Sequence, residues 1–236
     1  MSNSYFQFKK FKIEQGNCAM KVGTDGVLLG AWAFIYNPKQ ILDIGTGTGL
    51  IALMLAQKFE TAKITALEID TLASNQASQN FKASNWYNRL TRINKSLQSF
   101  ETLVKFDLIV SNPPYFNNSE KNPDKQKQTA RHTDTLSYYE LIEKAFFLLS
   151  KTGAFCVILP YSSKDEFIKM CKINKLFLAK ELAIKPTPSK EYKRVLLEFS
   201  KTKALADNQE LIIEEFGRHQ YSEKYIQLTK EFYLKF

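Results

Sequence analysis

Residues 40–56 read QILDIGTGTGLIALMLA, and this stretch decides the fold. It begins as a short apolar run, passes through Gly45, Gly47 and Gly49, and continues as an unbroken apolar segment. A buried strand, a glycine turn and a buried helix in that order form the opening unit of a parallel α/β sheet. Glycines at the carboxyl end of such a strand let the backbone approach a flat or extended ligand closely.

The glycine spacing and a downstream acid indicate which kind of ligand the turn holds. A dinucleotide fingerprint has its third glycine one residue later than Gly49, so the spacing disfavours NAD. Glu68 ends the next predicted strand about twenty residues downstream, where a carboxylate accepts hydrogen bonds from two ribose hydroxyls. The pair predicts a nucleoside site without a phosphate grip. Each feature alone has a plain structural alternative. The glycine turn could simply connect a strand to a helix, and Glu68 could simply be a solvated residue at a strand end.

The remaining chain alternates predicted strands and helices. Strands are predicted at 63–70, 90–94, 105–111, 154–160, 176–184 and 194–199, and helices at 72–83, 136–149 with Ser137 as cap, and 164–173. A buried helix after residue 23 is predicted to be capped by Thr24 or Asp25. The tail, 211–236, predicts a short strand followed by a helix. This order predicts an α/β fold with one doubly wound, mostly parallel sheet that ends in an antiparallel hairpin.

A second informative stretch is Asn112-Pro113-Pro114-Tyr115-Phe116, which follows the apolar run 107–111. Prolines cannot donate to a sheet ladder, and they force the preceding residue out of the helical region, so a buried strand must stop here. An amide side chain, carbonyls without a competing N–H group and two rings then come together. That set suits a planar amino-bearing group, while the alternative is a rigid turn.

Composition narrows the partners and the compartment. The formal net charge of +9 and the pI of about 9.3 favour a polyanionic partner such as nucleic acid, although a merely soluble basic protein has the same charge. Cys18, Cys156 and Cys171 show no pairing or metal-ligand spacing, so no metal is expected. The N-terminus lacks an apolar signal core, and the longest apolar run, 27–36, is too short to span a bilayer. We therefore expect a reducing, cytoplasmic setting without a membrane partner.

The glycine turn with Asp43, the acid after the second strand and the Asn-Pro-Pro-Tyr turn after the fourth together resemble class I S-adenosylmethionine (SAM)-dependent methyltransferases that act on amino nitrogens. The resemblance implies a Rossmann-like, seven-stranded sheet and SAM as the cofactor. The glycines would face its methionine part, Glu68 its ribose, and Asp43 the turn or the amino group. Ser96 and the backbone of Leu97 would replace an acid that the family often carries after strand three. The cofactor residues implied in this way are Asp43, Gly45, Gly47, Gly49, Glu68, Ile69, Ser96, Leu97 and Asn112.

Transfer to an exocyclic adenine amino group needs assistance because its lone pair is delocalised into the ring. If Asn112 Oδ1 and the Pro113 carbonyl accept hydrogen bonds from its two N–H groups, the nitrogen lone pair is aimed at the sulfonium methyl. The alignment of the two reactants then lowers the barrier to transfer by about 7 kcal/mol or more. Tyr115 would stack on the base for about 1–3 kcal/mol, with Phe116 packed behind it. The predicted catalytic residues are Asn112, Pro113, Pro114 and Tyr115.

Further stretches are similar to the bacterial valine-tRNA adenine-N6 methyltransferases, which modify the adenosine 3′ of the anticodon, position 37. These stretches are 8–32, 112–116, Ala130-Arg131-His132 and 231–234, so the match covers nearly the whole chain. The resemblance implies tRNA as the partner. It also implies an N-terminal extension, 1–39, that contacts RNA and closes Lys21, Gly23 and Thr24 over the cofactor, followed by a methyltransferase domain, 40–236.

Basic side chains near the active face are expected to contact phosphates, although any single one is also a plain surface charge. His132 is in addition a candidate general base, which amino methylation does not require. The Asn-Pro-Pro-Tyr turn also occurs in protein glutamine-N5 and DNA adenine-N6 methyltransferases. A non-catalytic RNA-binding domain would keep the same fold. The short, strand-like N-terminus favours tRNA over protein glutamine as the substrate. The candidate tRNA-binding residues are Lys9, Lys10, Lys12, Phe116, Arg131, His132, Lys190, Lys193 and Arg194, with further lysines at 121, 125, 127 and 185.

Overall fold

A mixed β-sheet runs through the protein, whose computed structural model describes residues 4–16, 21–114 and 136–236. The strands of the central sheet are β3 (Gln40–Ile44), β4 (Lys63–Glu68), β5 (Leu90–Asn94), β6 (Phe106–Ser111), β7 (Leu149–Pro160), β8 (Phe177–Lys185), β9 (Arg194–Ser200) and β10 (Asp207–Ile212). Small hairpins are formed by β1 (Tyr5–Gln7) with β2 (Lys12–Glu14), and by β11 (Glu214–Gly217) with β12 (Gln220–Tyr221). The helices are α1 (Thr24–Trp32), α2 (Leu50–Lys58), α3 (Thr71–Lys82), α4 (Tyr138–Leu148), α5 (Lys164–Ile173) and α6 (Glu223–Thr229).

The strand order of the central sheet is β10-β8-β9-β7-β6-β3-β4-β5. Strand β9 runs antiparallel to β7 and β8, and the other neighbouring strands pair in parallel. The predicted fold class, doubly wound and mostly parallel, is confirmed. Within the described residues the sheet has eight strands rather than seven, because β10 adds in parallel to the outer side of β8. The strands β3 to β8 all end at one edge, called here the carboxyl edge.

Alternate residues of the central strands face opposite helical layers. Ile41 and Val110 belong to the core on the side of α1, α2 and α3, whereas Leu42 and Ile109 belong to the core on the side of α4 and α5. All four side chains are fully buried. Strands covered on both faces lack polar alternation, which explains the continuous apolar runs in the sequence.

Helices α1 and α2 pack closely through two glycines one turn apart. A Cβ added at Gly26 would lie 3.0 Å from Leu50 Cδ2, and one added at Gly30 would lie 2.8 Å from Met54 Sδ and 3.0 Å from its Cβ. Lys58, at the end of α2, donates to the carbonyls of Ala31 (2.5 Å) and Ala33 (2.9 Å) at the end of α1. The two helices therefore run side by side in the same direction, both beginning at the carboxyl edge.

The predicted caps have different outcomes. Ser137 caps α4 as predicted, in a capping box with Glu140. The capping of α1 by Thr24 or Asp25 is wrong, because Gly23 is the N-cap without a side-chain bond and both residues lie inside the helix. Asp25 instead accepts a hydrogen bond of 2.8 Å from Arg194 Nε, which ties the start of α1 to the start of β9.

The described part of the N-terminal extension packs into the same core as the sheet. Phe8 and Ile13 of the first hairpin and Val27 and Leu28 of α1 are fully buried among residues of α2 and α3. Aromatic contacts join this hairpin to the C-terminus, for example Phe8 with Tyr233 at 5.9 Å between ring centroids. The role of residues 1–39 over a cofactor and on RNA stays a prediction.

Helix length and the state of the cysteines are two further features of the described residues. None of the helices in the described ranges is long and apolar enough to cross a membrane. Cys156 and Cys171 are buried free thiols, and Cys18 lies outside the described residues. Burial raises the pKa of both buried thiols well above the ordinary value, which suits a packing role.

Replacing Gly30 tests the close packing of α1 on α2. We expect Gly30→Val to lower the free energy of unfolding by about 2–3 kcal/mol, because the added carbons overlap Met54 and the core is filled. Gly16→Ala is the control, since a Cβ there meets nothing within 4 Å, and it should change stability by no more than about 0.5 kcal/mol. Urea unfolding measures both, and equal stabilities would contradict the close approach.

Candidate functional site

The turn between β3 and α2, residues 45–49, lies at the carboxyl edge and is held by the neighbouring strand. The amides of Gly45 and Thr46 both donate to the carbonyl of Leu67, at 2.9 and 3.0 Å. Gly45 and Gly47 have φ angles of +72° and +58°, and a Cβ at either would meet no atom within 4 Å. The backbone of the turn thus presents an open surface that side chains do not cover.

The third glycine serves a different purpose. Gly49 has a φ angle of +87°, and a Cβ there would lie 2.4 Å from Cε1 of the Phe81 ring. Gly49 therefore allows α2 and α3 to pack closely, whereas the other two glycines leave open space. The resemblance implied that all three glycines face the methionine part of a cofactor. In the structure only Gly45 and Gly47 form the open side of the turn, because Gly49 is packed against Phe81.

Glu68 lies beside this turn and is 9% exposed. Its Oε2 accepts from the amide of Gly47 at 2.8 Å, and its Oε1 accepts from the amide of Asp70 at 2.9 Å. Each carboxylate oxygen has a further lone pair, so the carboxylate can still accept from hydroxyl groups. Ile69 lies beside it and is half exposed. The backbone carbonyls of Glu68 and Ile69 both accept hydrogen bonds from Asn94 Nδ2.

Asp43 is fully buried beneath the turn. Its Oδ2 accepts a 2.5 Å hydrogen bond from Thr46 Oγ1, while its Oδ1 has no hydrogen-bond partner in the described structure. Burial raises the pKa of Asp43 to about 7; the hydrogen bond from Thr46 and the interaction with the Ala52 backbone amide oppose the rise, and the nearby Glu68 charge adds to it. A positive group bound over the turn would favour the ionised carboxylate.

The residues after β5 fit the prediction less directly. The Ser96 hydroxyl contacts Ser99 Oγ at 2.9 Å and accepts from the Ser99 amide at 3.2 Å, so it closes a local turn. The Leu97 side chain is 4% exposed and belongs to the core. Both follow a strand that ends at the carboxyl edge, and their contact with an adenine ring stays a prediction.

Asn112 follows β6 directly, and β6 pairs with β3, the strand that leads into the glycine turn. Ser111 Oγ donates to the carbonyl of Ile44 at 3.0 Å, which fixes the two strand ends side by side. Pro113 is buried and Pro114 exposed. Tyr115, Phe116, Arg131 and His132, together with the lysines at 121, 125 and 127, lie outside the described residues.

The predicted cofactor residues of the N-terminal extension lie at the start of α1. Gly23 caps this helix and Thr24 is its first residue. The ion pair of Asp25 with Arg194 and the contact of Gly26 with Leu50 place this helix end at the carboxyl edge. Lys21 precedes it and is exposed.

The predicted tRNA-binding residues that the structure describes lie in three places. Lys190 and Lys193 lie in the connection between β8 and β9, at the carboxyl edge, and Arg194 begins β9. Lys9 and Lys10 instead line a polar hollow with Glu60 and Arg89, next to the end of α2 and so at the opposite edge. Lys9 Nζ donates to backbone carbonyls of residues 230 and 236. Lys12 pairs with Glu14 at 2.5 Å on the exposed face of the first hairpin.

Sequence reasoning missed several residues that shape this edge. Asn80 of α3 is buried and bonded to both Glu14 and Thr48. Its signal was a polar residue at a helix position between buried apolar neighbours. Tyr161 and Tyr192 stack at 4.8 Å between centroids and hold the β8–β9 connection against the end of β7. Tyrosines in loops carry no such signal in the sequence.

The chemistry of this edge fits SAM. Two glycines leave backbone open, a carboxylate with spare lone pairs lies beside them, and a buried carboxylate lies beneath. Among the described residues there is no cluster of three or more His, Cys, Asp or Glu side chains that could hold a metal ion.

Comparison with solved structures places this architecture in a class. A predicted O-methyltransferase from Agrobacterium tumefaciens superimposes with a TM-score of 0.69 at 19% identity, covering 88% of this chain and 96% of that one. With the open glycine turn and the strand-end Asn-Pro-Pro, the fold is that of the class I methyltransferases.

Residues 27–183 match the model of the methyltransferase small domain, and the chain belongs to that family. A protein from Bacteroides fragilis is 45% identical over 238 residues and 100% of both chains, and one from Flavobacterium johnsoniae is 46% identical over 98% of this chain and 99% of that one. Both relatives are named tRNA1(Val) (adenine(37)-N6)-methyltransferase. The family resemblance stated from the sequence is confirmed.

Two glycine substitutions separate packing from ligand access. We expect Gly49→Ala to lower the free energy of unfolding by about 3 kcal/mol or more, because its Cβ overlaps the Phe81 ring at a positive φ angle. Gly47→Ala meets no neighbour, so it should cost about 1 kcal/mol of stability while weakening SAM binding at least about tenfold by filling the open side. Urea unfolding and calorimetry measure the two effects. Similar losses of stability in Gly49→Ala and Gly47→Ala would contradict the assignment of Gly49 to packing and of Gly47 to the open side of the turn.

The raised pKa of Asp43 predicts pH-dependent cofactor binding. Below about pH 7 Asp43 is neutral in the free protein, and a bound ammonium group favours its ionised form, so binding releases a proton and tightens as pH rises. We expect the Kd for SAM to fall three- to tenfold, roughly, between about pH 5.5 and about pH 7. Calorimetry measures it, with Asp43→Asn as the control whose Kd should be flat. A flat wild-type profile would restrict Asp43 to supporting the turn.

Proposed function

We propose that this protein transfers a methyl group from SAM to the exocyclic N6 of an adenosine in tRNA, at position 37 of valine tRNA. The observation that carries the proposal is the position of Asn112 directly after β6, beside the open glycine turn that follows β3. Relatives that match the chain over its full length carry the corresponding name. The proposed setting is the cytoplasm, where tRNA is modified.

The proposed roles follow from the two strand ends. Bound SAM supplies an electrophilic methyl group on a sulfonium centre. Gly45 and Gly47 accommodate its methionine part, and Glu68 accepts from its ribose hydroxyls. Asn112 Oδ1 and the Pro113 carbonyl accept hydrogen bonds from the two N–H groups of the adenine amino group, which directs the nitrogen lone pair toward the methyl group. The methyl carbon would pass from sulfur to this nitrogen, S-adenosylhomocysteine would leave, and the nitrogen would then lose one proton to solvent. Orientation is the main contribution of this chain to the rate.

The β8–β9 connection is the proposed tRNA-binding surface on the described part of the chain. It lies at the same edge as Asn112 and carries Lys190 and Lys193, with Lys185 at its start. Lysines in a loop contact phosphates and position the RNA without reading its bases. Arg194 contributes by holding this connection to α1 through Asp25. Because Lys9 and Lys10 lie at the opposite edge, any RNA contact there involves a part of the tRNA away from the target base.

Nucleoside analysis tests the proposal directly. The protein is incubated with labelled SAM and a valine tRNA transcript, and the digested RNA is separated by liquid chromatography with mass spectrometry. We expect N6-methyladenosine in this transcript and none in a matched transcript with guanosine at position 37. Equal labelling of both transcripts would refute the position, and label in protein glutamine or in DNA would refute the substrate class. RNA binding without transfer would identify a non-catalytic domain.

Substitution of Asn112 tests the alignment of the amino group. We expect Asn112→Ala to lower kcat at least about 100-fold while the Kd for SAM changes by less than about threefold, because the acceptor acts on the substrate nitrogen. Asn112→Asp keeps an acceptor oxygen and should retain more activity than the alanine variant. Glu68→Ala is the contrasting variant, with weakened SAM binding. Retained activity in Asn112→Ala would contradict the proposed alignment.

A further inference from the structure

We propose that Asn80 is a positioning residue for the cofactor site, because it fastens the end of the first hairpin to the glycine turn. This inference rests on the proposed function, since it concerns the SAM site of that enzyme. Asn80 lies on α3, far along the chain from both segments that it joins, and it is 2% exposed.

The Asn80 amide makes three hydrogen bonds, all outside its own helix. Its Oδ1 accepts from the Glu14 amide at 3.0 Å. Its Nδ2 donates to the carbonyl of Glu14 at 3.0 Å and to that of Thr48 at 2.8 Å. Both amide hydrogens and one acceptor position are used, so a single planar group fixes the Glu14 and Thr48 carbonyls around one nitrogen.

Burying the Asn80 amide costs free energy unless its donors and its acceptor form hydrogen bonds. A buried amide that lost its partners would cost about 1–3 kcal/mol, so the burial of Asn80 depends on the three hydrogen bonds that it makes. The Thr48 carbonyl lies just before the Gly49 N-cap, outside the hydrogen-bond ladder of α2. Asn80 therefore supplies a donor to a turn carbonyl that the helix itself leaves unpaired.

A second buried amide extends the connection toward α1. Gln15, which follows Glu14, is 5% exposed, and its Oε1 accepts from the amide of Val22 at 2.8 Å. Val22 directly precedes Gly23, the N-cap of α1. The glycine turn, the hairpin end and the start of α1 are thus linked through Asn80 and Gln15, and all three meet at the carboxyl edge.

The consequence concerns affinity more than chemistry. Loss of the Asn80 bonds frees the turn and the hairpin end to move apart, so the cofactor must order them on binding. Asn112 follows β6, on the other side of β3 from β4 and α3, and its orientation does not depend on Asn80. A variant should therefore raise the Kd and the KM for SAM while leaving kcat at saturating SAM nearly unchanged.

The test uses the full chain with Asn80→Ala and Asn80→Asp, the latter keeping the shape and the acceptor but losing both donors. Gln76→Ala is the matched control, since Gln76 is 5% exposed on the same helix and bonds to Gln79. We expect both Asn80 variants to bind SAM about tenfold more weakly in calorimetry without RNA, with kcat within about threefold of wild type. Amide hydrogen exchange should accelerate at Glu14 and around the glycine turn, and not in β6. Gln76→Ala should bind SAM as the wild type does.

Three outcomes separate this inference from the proposed function. A wild-type protein that does not bind SAM would refute the proposed function. Wild-type binding with unchanged affinity in both Asn80 variants, or an equal loss in Gln76→Ala, would overturn the role of Asn80 and leave the function intact. If the Asn80 variants do not fold, Gln15→Ala is measured instead, because it removes the hydrogen bond from the Val22 amide that continues the same connection. The inference requires this variant to raise the Kd for SAM and to leave kcat unchanged.

Discussion

The rest of the structure depends on how the chain leaves β3. Within five residues the backbone must turn away from the sheet, pass the end of β4 and begin α2, and it does so through three glycines with positive φ angles. The amides of Gly45 and Thr46 donate to one carbonyl, that of Leu67, so the turn is fixed to the adjacent strand and not merely to itself. Backbone donors thereby set the turn's position, and side chains are kept away from its open surface.

Glu68 shows how one residue serves both the fold and the site. Its carboxylate accepts from the amide of Gly47 in the turn and from that of Asp70 at the start of α3, so it stabilises the strand end. Each of its oxygens keeps a further lone pair, and the residue lies at the same edge as the open turn. Asp43 adds a cost to this arrangement, because a buried carboxylate with an unpaired oxygen is disfavoured when ionised. A site that binds a positively charged ligand recovers part of that cost on binding.

The sequence predicted the parts of the molecule that local patterns control. The strand, glycine turn and helix at 40–56 and the Ser137 cap follow from apolar periodicity and side-chain chemistry that act within a few residues. It could not predict which glycines face open space, since Gly49 differs from Gly47 only through Phe81, a residue on another helix. The predicted cap of α1 was wrong for the same reason, because Asp25 bonds to Arg194, which lies 169 positions further along the chain. Such contacts between distant segments leave no local pattern.

The N-terminal extension illustrates why a division of the sequence need not be a division of the structure. Its helix α1 lies against α2 so closely that Gly26 and Gly30 have no room for a side chain, and Lys58 closes the far end of the pair. The near end is closed at the carboxyl edge by Asp25 and Arg194. Any change in the position of α1 would therefore disturb a packed helix pair and a charged contact together. The predicted closing of residues 1–39 over the cofactor therefore cannot be a movement of α1 as a whole, because this helix is held at both of its ends.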